Sequence, residues 1–131
     1  MPRSPDFLGA TGIGVSDLRA SAEFYKAALG MTELRTVKID YMDEIILVHE
    51  ARSALVLMHW TDGSARNYKD VPVKLVFYVT DPAATAERIR RAGGIMTREP
   101  APFGEDGMIV GLGKDLDGYV VELLQAPAAR S

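Results

Sequence analysis

Cysteine is absent from this chain of 131 residues. Disulfides, thiolate metal sites and cysteine nucleophiles are therefore excluded. Histidine is scarce: His49 and His59 are the only two, and they do not form a ligand-spaced pair. No basic stripe stands out, the formal net charge being −3. The densest basic stretch, Arg88, Arg90 and Arg91, reads as the wet face of one helix. No nucleic-acid partner is expected. No apolar run approaches membrane-spanning length, and Met1 to Asp6 carry no apolar signal core. The expectation is a cytoplasmic protein without a membrane partner. The serines fall in caps, turns and tails with no histidine paired to them. The GATGIG stretch spaces its glycines G-x-x-G-x-G and not G-x-G-x-x-G, and it lies inside an expected strand, so it is discarded as a phosphate site.

What is present is a repeat. Leu8 to Val15 (LGATGIGV) leads into Ser16-Asp17 and a helical stretch ending at Gly30. Val73 to Val79 (VKLVFYV) leads into Thr80-Asp81 and a helical stretch ending at Gly93-Gly94. Asp17 and Asp81, Val15 and Val79, and Gly30 and Gly94 are each 64 positions apart. Asp17 and Asp81 suit helix N-caps, and Pro82 suits a first helical position. Leu18, Ala22, Tyr25 and Leu29 recur at helical spacing, as do Ala86 and Ile89 more thinly. Gly30 and Gly93 can adopt the left-handed conformation that ends a helix.

Three strands are expected after each helix: Thr32 to Ile39, Tyr41 to His49 and Ser53 to Trp60, then Ile95 to Glu99, Gly107 to Gly113 and Gly118 to Gln125. Asp117-Gly118 is a turn signal before the last strand. The polar stretch from Thr61 to Pro72 reads as a connector, and Ala126 to Ser131 as a frayed tail. The expected fold class is α+β, with two βαβββ modules forming a curved mixed sheet around a cleft and the helices on the outer face. A single domain over 1–131 is expected, with repeats at about 8–60 and 73–125 and a connector at 61–72.

Two stretches carry a family resemblance. GVSDLRASAEFYKAALGM near the start, and RAGG followed by KDLDGYVVELLQ near the end, resemble the vicinal oxygen chelate superfamily of glyoxalases, bleomycin resistance proteins and extradiol dioxygenases. The resemblance spans Leu8 to Gln125. It implies the paired modules already read from the repeat, and a homodimer. Metal-bearing relatives draw ligands from four equivalent strand positions. The resemblance maps these onto Ala10, Val56, Lys74 and Glu122, so only Glu122 is of ligand type.

No metal and no cofactor are expected from that set, because Ala10 and Val56 offer no donor and a lysine repels a cation. A Lys74–Glu122 ion pair is expected in place of the metal. Strand alternation turns Ala10, Val56, Met58, Trp60, Lys74, Val76, Tyr78, Val120, Glu122 and Leu124 toward the cleft as the ligand-binding set. Ala10, Gly12 and Gly14 are small and expected to leave room. The opposite parity, from Ile13, Val15, Leu55 and Leu57 to Val121 and Leu123, is apolar and reads as core. A mostly apolar pocket with few polar groups fits a small organic molecule. The expected function is thus metal-independent binding of an apolar or aromatic molecule, with sequestration of a toxic compound as its use and glyoxalase activity absent. The alternative is a lyase or isomerase with Glu122 as catalytic base and Lys74 holding an anionic group. A metal-dependent glyoxalase or dioxygenase is the weakest reading.

Overall fold

A computed structural model describes residues 8–50, 52–69, 71–105 and 107–125. The expectations for Met1 to Asp6 and for the tail at 126–131 lie outside the described residues. The first repeat is β1 (Ala10–Gly14), α1 (Leu18–Leu29), β2 (Thr32–Ile39), β3 (Met42–His49) and β4 (Ser53–Trp60). The second is β5 (Lys74–Tyr78), α2 (Pro82–Arg91), β6 (Ile95–Phe103), β7 (Met108–Lys114) and β8 (Val120–Gln125). Each repeat forms one four-stranded mixed sheet, in the orders β1-β4-β3-β2 and β5-β8-β7-β6. The α+β class with two βαβββ modules is therefore as expected.

Local chemistry explains the element ends. Asp17 accepts from the Ala20 N–H at 3.0 Å, and Asp81 from the Ala84 N–H at 3.1 Å, so each helix starts on a carboxylate cap. Gly30 ends α1 in the left-handed conformation at φ 73°. The sixth strand runs four residues past the expected stop at Glu99, through Pro100 and Pro102. Proline is compatible there because β6 is an edge strand, and its register shifts between Met96 and Ala101.

The parity reading sets the core. Ile13, Val15, Leu55, Leu57, Val121 and Leu123 are buried, with Leu75, Phe77 and Val79 packed against them. The buried face of α1 is wider than its expected stripe, taking in Ser21, Phe24 and Ala28. The cause is that α1 packs on α2 as well as on its own sheet, so a second stripe is covered. Arg88 Nε crosses this contact and donates to the Ala28 carbonyl at 3.2 Å.

Polar groups then fasten one repeat to the other. The Tyr25 hydroxyl donates to Asp115 Oδ2 at 2.6 Å. Asp115 Oδ1 accepts from the backbone N–H groups of Asp117 and Tyr119 at 3.0 and 2.9 Å. Asp117 accepts from the Ser16 N–H at 3.2 Å, and the Tyr119 hydroxyl donates to the Gly14 carbonyl at 2.6 Å. The two histidines also have structural partners. His49 Nε2 lies 2.7 Å from the Leu29 carbonyl and its ring meets Phe77 edge-on. His59 Nδ1 lies 2.8 Å from the Val15 carbonyl.

Tyr25→Phe should cost about 1.5–3 kcal/mol in urea unfolding, because it strips a hydrogen bond from a buried carboxylate. Burial, the largest cause, holds the Asp115 carboxyl above its usual 3.8, against the opposing pull of the Tyr25 hydroxyl and two N–H groups. The folded chain then binds this proton more tightly than the unfolded one. Asp115 contributes stability that is full below the unfolded value and is lost as pH rises through the raised folded value. The stability of the wild type relative to Asp115→Asn should therefore fall as pH climbs from about 3.8, measured by unfolding across a pH series.

Candidate functional site

The two sheets each turn one face to the helices and leave the other uncovered. Strand register places the site residues on that open face. Gly12 pairs with Val56 across β1 and β4, and Val76 pairs with Glu122 across β5 and β8. Gly12 and Val76 are themselves 64 positions apart. Val56 and Glu122 are thus structural equivalents, as are Ala10 and Lys74, each two residues before those pairs.

Lys74 Nζ lies 3.0 Å from Glu122 Oε1, so the expected ion pair forms. Its two ends differ in environment. The Lys74 side chain is 54% exposed, whereas that of Glu122 is 16% exposed. The carboxylate is held close to the sheet, between Val120 and Leu124 on its own strand, and the ammonium reaches it from the wet side. Val76 and Tyr78 continue the same face of β5 and are exposed, Tyr78 at 77%. In the first repeat Ala10 is exposed, while Val56, Met58 and Trp60 are half-buried.

The room expected over the glycines is taken. A methyl group added to Gly12 would come within 3.2 Å of Met58 Cε. One added to Gly14 would meet the Tyr68 ring at 3.2 Å and the Trp60 ring at 3.3 Å. Tyr68 belongs to the connector, which folds back over the end of β1. Its hydroxyl accepts from the Trp60 N–H at 3.1 Å, and its ring stacks on His59. Arg66, also in the connector, lies over the Trp60 ring at 4.5 Å. Sequence reasoning passed over both residues because a polar, turn-rich stretch gives no signal of which side chain folds inward.

The metal implied by the fold does not fit these residues. Ala10 and Val56 carry no donor atom, and the Lys74 ammonium occupies the Glu122 carboxylate at hydrogen-bonding distance. Among the described residues, no group of three His, Asp or Glu side chains could hold a metal ion. What the pair can do is acid–base chemistry: a carboxylate accepts a proton while an adjacent ammonium stabilises developing negative charge.

A family model described as the Glyoxalase/Bleomycin resistance protein/Dioxygenase superfamily matches residues 8–123. The chain belongs to this superfamily. It is 32% identical over 124 residues to a lactoylglutathione lyase of Salmonella typhimurium, covering 91% of this chain and 92% of the relative. It is 31% identical over 120 residues to a lactoylglutathione lyase of Escherichia coli O157:H7, covering 88% and 89%. Among solved structures it resembles a glyoxalase I mutant from Zea mays, with TM-score 0.76 and 25% identity over 89% of this chain. The chain spans a little under half of that maize protein, 43% of its length.

These relatives correct the function expected from the sequence. Binding and sequestration without chemistry was inferred from the missing metal donors. Superfamily members similar to this chain over nearly its full length are named lactoylglutathione lyases, so full-length similarity favours an enzyme. The donor positions speak to how a reaction is run and not to whether one is run, which is why their loss misled.

Water reaches the Lys74 end of the ion pair, so its contribution to stability should be small. Lys74→Met should change the unfolding free energy by no more than roughly 1 kcal/mol in urea titrations. A loss several times larger would show that the pair acts as a buried one.

Proposed function

We propose that this chain is a lyase or isomerase of the glyoxalase type, acting on a small carbonyl compound joined to a thiol. The observation that carries the reading is the Lys74–Glu122 pair on the open face of a chain whose full-length relatives are named lactoylglutathione lyases. Glu122 is the acid–base residue. It takes the proton from the carbon next to the substrate carbonyl, the bonding pair moves into the carbonyl, and the oxygen gains negative charge. The Lys74 ammonium, already within hydrogen-bonding reach of Glu122, stabilises that oxygen. The hydroxyl proton on the first carbon passes to this second oxygen, and Glu122 returns its own proton to the former carbonyl carbon, which leaves a thioester beside a hydroxyl. Ala10, Val56, Met58 and Trp60 on one repeat, and Val76, Tyr78, Val120 and Leu124 on the other, form the walls that keep the substrate in place and limit water.

The two repeats act as one domain in this reading, and the enzyme works in the cytoplasm as a homodimer. The exposed apolar residues Leu34, Ile39 and Tyr41, outside the substrate walls, support the dimer, since a partner would cover them. Among the described residues, no helix is long and apolar enough to cross a membrane.

Incubating the protein with methylglyoxal and glutathione should yield lactoylglutathione, read by the rise in thioester absorbance. Glu122→Gln should lower kcat by roughly 10²–10⁴-fold and leave substrate affinity near the wild-type value. Lys74→Gln should also lower kcat, with Lys74→Arg retaining part of it. Undiminished turnover in Glu122→Gln would sink the assignment.

A further inference from the structure

We propose a second activity at the Lys74–Glu122 pair: covalent capture of small uncharged aldehydes and ketones as an imine on Lys74 Nζ, with Glu122 carrying the protons. It needs no thiol, and it stands on the geometry of the pair and not on the lyase reading.

Lysine becomes a nucleophile only when its ammonium gives up a proton, so a proton acceptor must lie within reach. Lys74 Nζ lies 3.0 Å from Glu122 Oε1, and that carboxylate has no other hydrogen-bond partner among the described residues. An ion pair alone is not enough. Lys26 Nζ lies equally close to Glu23, at 3.0 Å, but on the wet face of α1, where the Glu23 side chain is 57% exposed. Glu122 is the least exposed carboxylate that any lysine meets among the described residues. Register explains the difference. Lys74 pairs with Val120, and Val76 with Glu122, across the parallel strands β5 and β8, so the lysine reaches along the open face over apolar neighbours. A ligand seated there displaces water from the pair. Moving one proton from Nζ to Oε1 then cancels two charges in surroundings that solvate charge poorly.

Lys74 also borders a cavity of about 210 Å³ and is its only charged wall among the described residues. Drug-sized ligands take roughly 300–1,000 Å³, so this cavity selects compounds of few atoms. Ala54, Val76 and Phe77 give it apolar walls, and Thr11 and Ser53 add hydroxyls that suit a carbonyl oxygen. An anionic compound would compete with Glu122 for the one ammonium, so the class selected is uncharged.

The protons balance within the pair. Glu122 takes one proton from the ammonium. The freed lone pair of Nζ adds to the carbonyl carbon while the C=O π pair moves to oxygen. A proton passes from the nitrogen to that oxygen, which gives a carbinolamine. Glu122 then gives its proton to the hydroxyl, water leaves, and the nitrogen lone pair closes the C=N bond. The iminium carries one positive charge beside a Glu122 carboxylate once more, so the adduct keeps the ion pair that held the free lysine.

Acetone with cyanoborohydride tests the step, because the reagent reduces an iminium to a stable secondary amine. Peptide mass spectrometry of the treated full chain should find an isopropyl group on Lys74 roughly 10²-fold faster than on Lys26, Lys38, Lys69 or Lys114, the factor expected of an adjacent acid–base group. Glu122→Gln should bring Lys74 down to the rate of the others. Circular dichroism and a thermal melt matching the wild type would show that this variant is folded. If it is not, the Lys74-to-Lys26 ratio in the wild type decides, since Lys26 has an ion pair without the sheltered carboxylate. Even labelling of the lysines, no label on Lys74, or an undiminished rate in a folded Glu122→Gln would overturn the capture. Lyase turnover with an unlabelled Lys74 would overturn the capture and leave the lyase reading standing; a labelled Lys74 without turnover would do the reverse.

Discussion

The arrangement of the molecule depends on one buried carboxylate. Asp115 sits at the end of β7 and is hydrogen-bonded on both oxygens, by a tyrosine hydroxyl from the first helix and by two N–H groups of its own turn. Leaving such a group unpaired inside the protein would cost more than any single contact around it supplies. The turn is therefore shaped so that Asp115 is satisfied. That shape presents Asp117 to the Ser16 N–H just ahead of α1 and Tyr119 to the Gly14 carbonyl at the end of β1. A short turn in the second repeat thus sets where the first strand and helix of the first repeat lie against it.

The consequence reaches the open face. The same turn leads directly into β8, which carries Glu122 two positions after Val120. The strand that supplies the carboxylate and the strand whose glycines lie under Met58 and Trp60 are fixed to one another by the Tyr119–Gly14 bond. On this side of the molecule the Lys74 ammonium reaches the Glu122 carboxylate and the Arg66 guanidinium lies over the Trp60 ring. A pair of organic cations distributes charge over two separated points, where a metal would concentrate it at one.

Much of the fold was legible because it is written twice. The 64-residue repeat, the aspartate caps and the alternating strands gave the element order, and the parity of β1, β4, β5 and β8 placed Lys74 and Glu122 on one face. The rest required contacts between elements distant in sequence. Ser21, Phe24 and Ala28 lie outside the stripe that one sheet would bury, and only the packing of α2 explains them. Asp117 reads as a turn residue, and nothing local shows that it reaches Ser16. His49 at a strand end has no partner in view until the Leu29 carbonyl and the Phe77 ring are brought beside it. The same reasoning could list the donors a metal would need, but could not tell that a chain lacking them still resembles lyases over nearly its whole length.

The parallel pairing of β1 with β4 bears on synthesis. All four strands of the first sheet have emerged by Trp60, so that ladder can close while the second repeat is still being translated. The partner of the Tyr25 hydroxyl is 90 residues further along. Through that interval the nascent first half carries a formed sheet and a helix whose inner hydroxyl can be satisfied only by water. The face of α1 meant for α2 has no cover until Pro82–Arg91 has been made, and the Tyr25 hydroxyl waits longer still, for Asp115.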